Sequence, residues 1–237
     1  MSEPILSVRG VSKRFDTLVA VADVNLDVAH GEKLGIIGPN GSGKTTLINC
    51  ITGVIRPEEG TIAFEGVDIS RMPTYRRARR GIARSFQIPR PFVGMSVLDN
   101  LLVPLDYLES GRREIAHACD LLKSVGLEPR AEDPAESLTH LELRKLELAR
   151  ALAAEPRLLI ADEVMAGLSE PEIDEVLEIL FALNARGVTV IMIEHIMHAI
   201  MRFSKRLLCM ETGRIIADGT PQEVGRSPEV QKVYFGK

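Results

Sequence analysis

The chain has no tryptophan and only 4% aromatic residues, which excludes a protein built on base-stacking platforms. Its three cysteines, Cys50, Cys119 and Cys209, are far apart, odd in number and lack metal-ligand or redox spacing. Reduced, partly buried thiols of a cytosolic protein are the expectation. Positive charge is not in excess: 29 Lys and Arg against 33 Asp and Glu leave a net charge of −4. That balance argues against a nucleic-acid partner held by bulk electrostatics. The first residues, MSEPILSVRG, do not pair a basic stretch with a long apolar core as a signal peptide does. No apolar run approaches the roughly 18 residues that span a bilayer. Internal repeats, low-complexity tracts and the Asn-Lys-x-Asp base-reading motif of GTPases are also missing.

What is present suits a large core: 237 residues, 45% apolar and 26% charged. Residues Ile5, Leu6, Val8, Val11, Val19, Val21, Val24, Leu26 and Val28 keep a period of two, broken by a turn-like 15–17. They predict antiparallel strands. Residues 33–37 form an apolar strand running into a glycine-rich loop, and 45–52 predict a helix closed by Gly53. Further strands are expected at 60–64 and 81–86, then helices at 96–102, 112–124 and 141–153. The apolar run 158–161 ends in Asp162-Glu163 and reads as a buried parallel strand. Ser169 and Glu172 form a capping box opening a helix that Gly187 ends, and 188–193 is another buried strand. Strands alternating with helices predict a parallel sheet with right-handed crossovers.

The stretch Gly38, Pro39, Asn40, Gly41, Ser42, Gly43, Lys44, Thr45, Thr46 fits the phosphate-loop pattern, with a strand before it and a helix after. Glycines let backbone N–H groups curl around phosphate oxygens, and the helix directs its positive end at the same anion. Lys44 adds a charge for the β- and γ-phosphates, and the Thr45 hydroxyl suits Mg²⁺. The loop therefore points to a nucleoside triphosphate. In an open α/β sheet, ligands sit beyond the carboxyl ends of the strands, so Asp162 and Glu163 should face the phosphates. Asp162 would hold Mg²⁺ and Glu163 would polarise the attacking water. His195, after the last buried strand, is either a polar strand terminus or a donor to the γ-phosphate. Gln87 is similarly placed to contact Mg²⁺ or the water, and spacing alone decides neither.

These parts, in this order, resemble the nucleotide-binding subunit of an ATP-binding cassette transporter along essentially the whole chain. The loop, Gln87, Asp162-Glu163 and His195 match that family's Walker A, Q-loop, Walker B and switch histidine. Phe15 stands where the family stacks an aromatic on adenine, and Ala166 to Ser169 where it has the D-loop. The resemblance implies an α/β P-loop NTPase fold: a RecA-like parallel-sheet core with an antiparallel β subdomain and an inserted helical subdomain. It also implies a single nucleotide-binding domain over 1–237, with core and β subdomain at about 1–87 and 155–237 and helices at about 88–154. ATP and Mg²⁺ are the implied cofactors, and ATP hydrolysis the implied reaction. The segments RRGIARSFQ, VLDNLLVP, EVMAGLSEPE, IEHIMHAIM and GRIIADGTPQEV are similar to importers of branched-chain and hydrophobic amino acids. Such subunits pair head to tail, drive transmembrane permease subunits from the cytoplasmic face of the cell membrane, and take solute from a separate solute-binding protein.

Two departures stand out. The family signature, Leu-Ser-Gly-Gly-Gln, aligns with Leu138, Thr139, His140, Leu141 and Glu142. Thr139 keeps the hydroxyl that would act in trans on the partner's ATP, but Leu141 replaces a glycine needed for close approach. Thr139 and Glu142 also form a capping box, so the segment reads equally as a well-capped helix. A heterodimer with one strong site is expected, a homodimer being the alternative. The second departure is Val164, where the family usually has Pro. Elsewhere, Arg71, Arg76, Arg77, Arg79, Arg80 and Arg84 are expected on a solvated face, with a permease or anionic lipid as the next reading. A soluble cassette ATPase of repair or translation would need long coiled-coil insertions or a second cassette, and the chain has neither. A nucleotide-binding regulatory module with weak hydrolysis stays open.

Overall fold

The computed structural model describes residues 3–85, 89–108 and 115–235. The first hairpin follows the period of two closely. Strands β1 (Leu6–Phe15) and β2 (Leu18–Val28) pair antiparallel around Asp16, whose φ of 52° makes the turn. With β4 (Glu59–Phe64) and β5 (Val67–Asp68) they form an antiparallel sheet in the order β2-β1-β4-β5.

The second sheet has the order β10-β9-β3-β8-β7-β6. Its strands are β3 (Lys33–Ile37), β6 (Ile82–Ser85), β7 (Leu158–Asp162), β8 (Thr189–Ile193), β9 (Arg206–Glu211) and β10 (Arg214–Gly219). All neighbours pair parallel except β10 on β9. Both faces of β7 and β8 are buried, which is why they read as unbroken apolar runs. The pleat divides their side chains between two cores. Leu158, Ile160, Ile191 and Ile193 join the core under the antiparallel sheet and helix α1 (Lys44–Thr52). Leu159, Ala161, Val190 and Met192 join the core under the remaining helices.

Among the described residues, three α-helices lie between β6 and β7: α3 (Val97–Leu108), α4 (Ile115–Ser124) and α5 (His140–Leu152). Helix α3 runs past the expected end at 102 and through Pro104. Leu101, Leu102 and Leu105 are buried on one face, and that burial outweighs the hydrogen bond Pro104 removes. After β7 come α6 (Glu170–Ala185), α7 (Met197–Phe203), α8 (Pro221–Arg226) and α9 (Pro228–Phe235). Helix α6 starts at the Ser169–Glu172 capping box expected from sequence. No helix among the described residues is long and apolar enough to cross a membrane.

The arginine-rich segment corrects one expectation. Helix α2 (Thr74–Arg79) carries three of these arginines, and Arg77 is fully buried rather than solvated. Its guanidinium donates to the Cys50 and Ile51 carbonyls at the end of α1, both at 2.7 Å, and to the Met72 carbonyl at 2.8 Å. A planar group with five donors can close a helix C-terminus in this way where a lysine could not. Arg84 is the second exception, since it reaches into the sheet edge described below.

Candidate functional site

The phosphate loop is held from below. Gly43 has φ of 101° and Gly38 of 150°, conformations that L side chains rarely adopt. A Cβ at Gly43 would stand 2.2 Å from the Ala20 carbonyl, and one at Gly38 2.3 Å from the Met210 carbonyl. The Ser42 carbonyl accepts from the Gly213 N–H at 2.9 Å, tying the loop to the β9–β10 turn. Helix α1 starts at Lys44 with Gly43 as its N-cap, which has no side chain to cap it. Its first N–H groups are therefore left for an anion.

Lys44 is largely buried, and its ammonium donates to the carbonyls of Gly38 at 2.6 Å and Pro39 at 3.0 Å. Burial pulls its pKa below the usual lysine value, while the charges of Glu163 and Asp162 push it back up. Both carboxylates thus lie within electrostatic reach of the ammonium. One cleft of about 340 Å³ runs from Phe15, Leu18 and Val19 along the loop to Thr45, Thr46 and Glu163. The Phe15 ring is 44% exposed there, ready to stack. A second cleft of about 600 Å³ continues past Gly38, Pro39 and Asn40 to Glu163, His195 and Tyr234.

Asp162 ends β7 and is 6% exposed. Its Oδ2 accepts from Arg84 Nη2 at 2.5 Å and Nε at 3.2 Å, and Arg84 also donates to Asn49 Oδ1 at 2.7 Å. Glu163 follows with φ of 50°, which is unusual for a side-chain-bearing residue and turns it out of the sheet. Its N–H still pairs with the Ile193 carbonyl at 2.9 Å. Its carboxylate stands 3.5 Å from His195 Nδ1. The phosphate loop, Phe15, Glu163 and His195 thus meet at adjoining clefts, with Asp162 just behind. Gln87 lies outside the described residues. Thr139 lines neither cleft.

Thr139 instead caps α5. Its hydroxyl accepts from the Glu142 N–H at 3.3 Å, and Glu142 Oε2 accepts from the Thr139 N–H at 2.8 Å. Arg130 binds the other oxygen, Glu142 Oε1, at 2.8 Å. The Thr139 N–H and these charges hold the Glu142 carboxyl below its usual range.

Three residues at the site carried no motif. Arg84 looked like one more surface arginine, and only its place in β6 beside β7 could have shown otherwise. Tyr234 is far away in sequence. Glu194 hid behind His195: it is 1% exposed, and burial pushes its carboxyl up to about 7. Its Oε1 accepts from the Met165 N–H at 2.9 Å, while Oε2 has no hydrogen-bond partner among the described residues. Arg144 on α5 donates to the next carbonyl, that of Ala166, at 3.2 Å. The segment after Glu163 is therefore gripped from two sides.

For Mg²⁺, the fit rests on the donors present. A carboxylate at the end of β7 and a hydroxyl in the first turn of α1, both oxygen ligands, flank the loop.

A glycine-rich loop at an uncapped helix, beside two carboxylates at the end of a buried parallel strand, defines a phosphate-loop nucleotide-binding protein. Comparison with known proteins narrows the class. The ABC transporter family profile matches residues 21–166, and a profile for branched-chain amino acid ATP-binding cassette transporters matches 214–237. The chain is 37% identical to the high-affinity branched-chain amino acid transport ATP-binding protein BraF of Pseudomonas aeruginosa, across 100% of both chains. It is equally similar to LivG of Escherichia coli K12, at 37% identity across 100% of both. A solved ATP-binding cassette of an ABC transporter in its ADP conformation superposes with a TM-score of 0.91 at 31% identity, covering 100% of both chains. The chain belongs to the ABC transporter family, as an ATP-binding cassette with ATPase activity.

Proposed function

We propose that this chain hydrolyses ATP for an importer of branched-chain amino acids or a related small solute, at the cytoplasmic face of the cell membrane. The observation that carries the reading is the continuous run of clefts from Phe15 along the loop to Glu163 and His195. The branched-chain transport relatives, similar end to end, support the solute class.

Phe15 stacks on the base, and the backbone N–H groups from Gly38 to Thr46 wrap the phosphates. Lys44 turns from the loop carbonyls to the β- and γ-phosphates. Glu163 accepts a proton from the water that attacks the γ-phosphorus, and His195 donates to a γ-phosphate oxygen. Their 3.5 Å spacing lets each orient the other. Thr45, Asp162 and Gln87 would hold Mg²⁺, which would supply charge neutralisation at the phosphates.

A second ATPase subunit completes the site in trans. The capped end of α5 supports a heterodimer of unequal sites, because the Thr139 hydroxyl that would act in trans is engaged by the Glu142 N–H and Leu141 stands where the family has glycine. A permease contact is supported by an apolar groove of about 270 Å³ between α1, α2, β6, α3 and α5, where Val54 and Tyr107 are more than half exposed.

The test is Glu163→Gln. Turnover should fall by roughly 10²–10⁴-fold with ATP affinity kept, as for loss of a general base. Unchanged turnover would remove Glu163 from the reaction. Brisk hydrolysis by the wild-type chain alone, without a paired subunit, would sink the unequal heterodimer.

A further inference from the structure

The last helix brings a residue to the nucleotide cleft that no motif marks. Helix α9 packs on α8 and β10. Val230 and Tyr234 stand four residues apart and so share one face. Val230 is buried in the large core, and Tyr234 packs against the same cluster. That face carries Tyr234 to the cleft whose other walls are Gly38, Pro39, Asn40, Glu163 and His195.

The Tyr234 hydroxyl is shut off from solvent and makes no hydrogen bond among the described residues. A sheltered hydroxyl without a partner is costly, and phenylalanine would fill the same space without that cost. The hydroxyl lies by the Gly38 backbone, and burial pushes its pKa up to about 12, so it stays a donor at neutral pH. The N–H of Gly38 faces the hydroxyl, and the carbonyl of the same residue has a donor with other work. Lys44 Nζ donates to the Gly38 carbonyl at 2.6 Å. When that ammonium turns to a triphosphate, the Gly38 carbonyl loses its donor.

We propose that Tyr234 is a positioning residue of the nucleotide site: its hydroxyl takes over the Gly38 carbonyl that Lys44 releases, and its ring walls the γ-phosphate end of the cleft. The C-terminal helix thereby senses whether ATP is bound. Residues 214–237, which contain it, match a profile separate from the one matching the cassette at 21–166. This inference rests on the reading of the clefts as an ATP site.

Two variants test it in the full chain. Tyr234→Phe removes only the hydroxyl. It should weaken ATP binding about 5- to 10-fold by calorimetry, the effect of one lost hydrogen bond. In the assembled transporter it should raise KM for ATP by a similar factor, with kcat changed less than about twofold. Without nucleotide its melting temperature should be no lower than that of the wild type, and higher if the sheltered hydroxyl is costly there, whereas a purely structural role would lower it. Because the chain has no tryptophan, Tyr234→Trp supplies the sole indole, whose emission should shift on saturation with ATP and less with ADP. Wild-type affinity in Tyr234→Phe, or an indole silent to both nucleotides at saturation, would overturn the proposal. Failure of the wild-type chain to bind ATP would instead overturn the ATP-site reading itself.

Discussion

Two helix N-termini in this molecule were built from similar parts and finished differently. At α1, the cap is Gly43 in a left-handed conformation, which has no side chain to offer the first N–H groups, and the following residue is a buried lysine. At α5, Thr139 and Glu142 form a complete capping box and Arg130 clamps Glu142 from outside. Both ends carry the same backbone dipole. The first leaves its donors open to an anion, whereas the second has supplied its own. The difference lies in the caps: α1 supplies none from its N-cap residue, whereas at α5 the Thr139 hydroxyl and the Glu142 carboxylate bond the Glu142 and Thr139 N–H groups.

The comparison is most easily broken at α1. Gly43→Ala places a methyl 2.2 Å from the Ala20 carbonyl at φ of 101°. The variant should lose roughly 3 kcal/mol or more, lowering the melting temperature by about 6–12 °C in thermal unfolding. A Gly43→Ala protein that melts as the wild type would mean the loop is not held in this strained form.

Between the two ends runs the segment gripped by Glu194 and Arg144. The Glu194 carboxyl is raised by burial from 4.5 to about 7, so the folded chain keeps a proton that the unfolded chain has lost between those values. Stability therefore falls as pH rises from about 4.5 through 7, by roughly 3 kcal/mol for this group. Glu194→Gln keeps an acceptor for the Met165 N–H and removes the titration. Urea melts across pH 4.5–7.5 should show a flatter slope and higher stability above pH 7. An unchanged pH slope would contradict the buried, protonated assignment.

The smallest effect belongs to α5. Thr139→Ala removes a cap and should cost about 1 kcal/mol of stability. It should leave the affinity of this chain's own loop for ATP unaltered, since Thr139 lines neither cleft. A loss of affinity in the isolated chain would show that the two ends act within one molecule rather than across two.

Much of the site was legible because its chemistry is local. The loop from Gly38 to Thr46 and the Asp162-Glu163 pair depend on consecutive residues, and strand and helix periods placed them at element ends. The sheet order was not legible, since pairing β3 between β8 and β9 depends on contacts far apart in sequence. Arg84 and Arg77 were misread for the same reason. In sequence they share a basic cluster, yet one binds Asp162 and the other closes α1. Tyr234 is the extreme case: nothing near it in sequence hints at a nucleotide, and only the packing of Val230 aims it at the cleft. Glu142 was legible as a cap but ambiguous as a signature. The hydrogen bonds resolve its part as a cap while leaving its action in trans to experiment.

The central claim, that α1 of this chain takes a triphosphate while its α5 end is closed to a partner's, meets its most direct test in one experiment. Glu163→Gln, saturated with ATP and Mg²⁺, would be sized by light scattering while bound nucleotide is counted. One ATP per chain on a monomer is the predicted result. A stable dimer of this chain alone, sandwiching ATP at both sites, would contradict it.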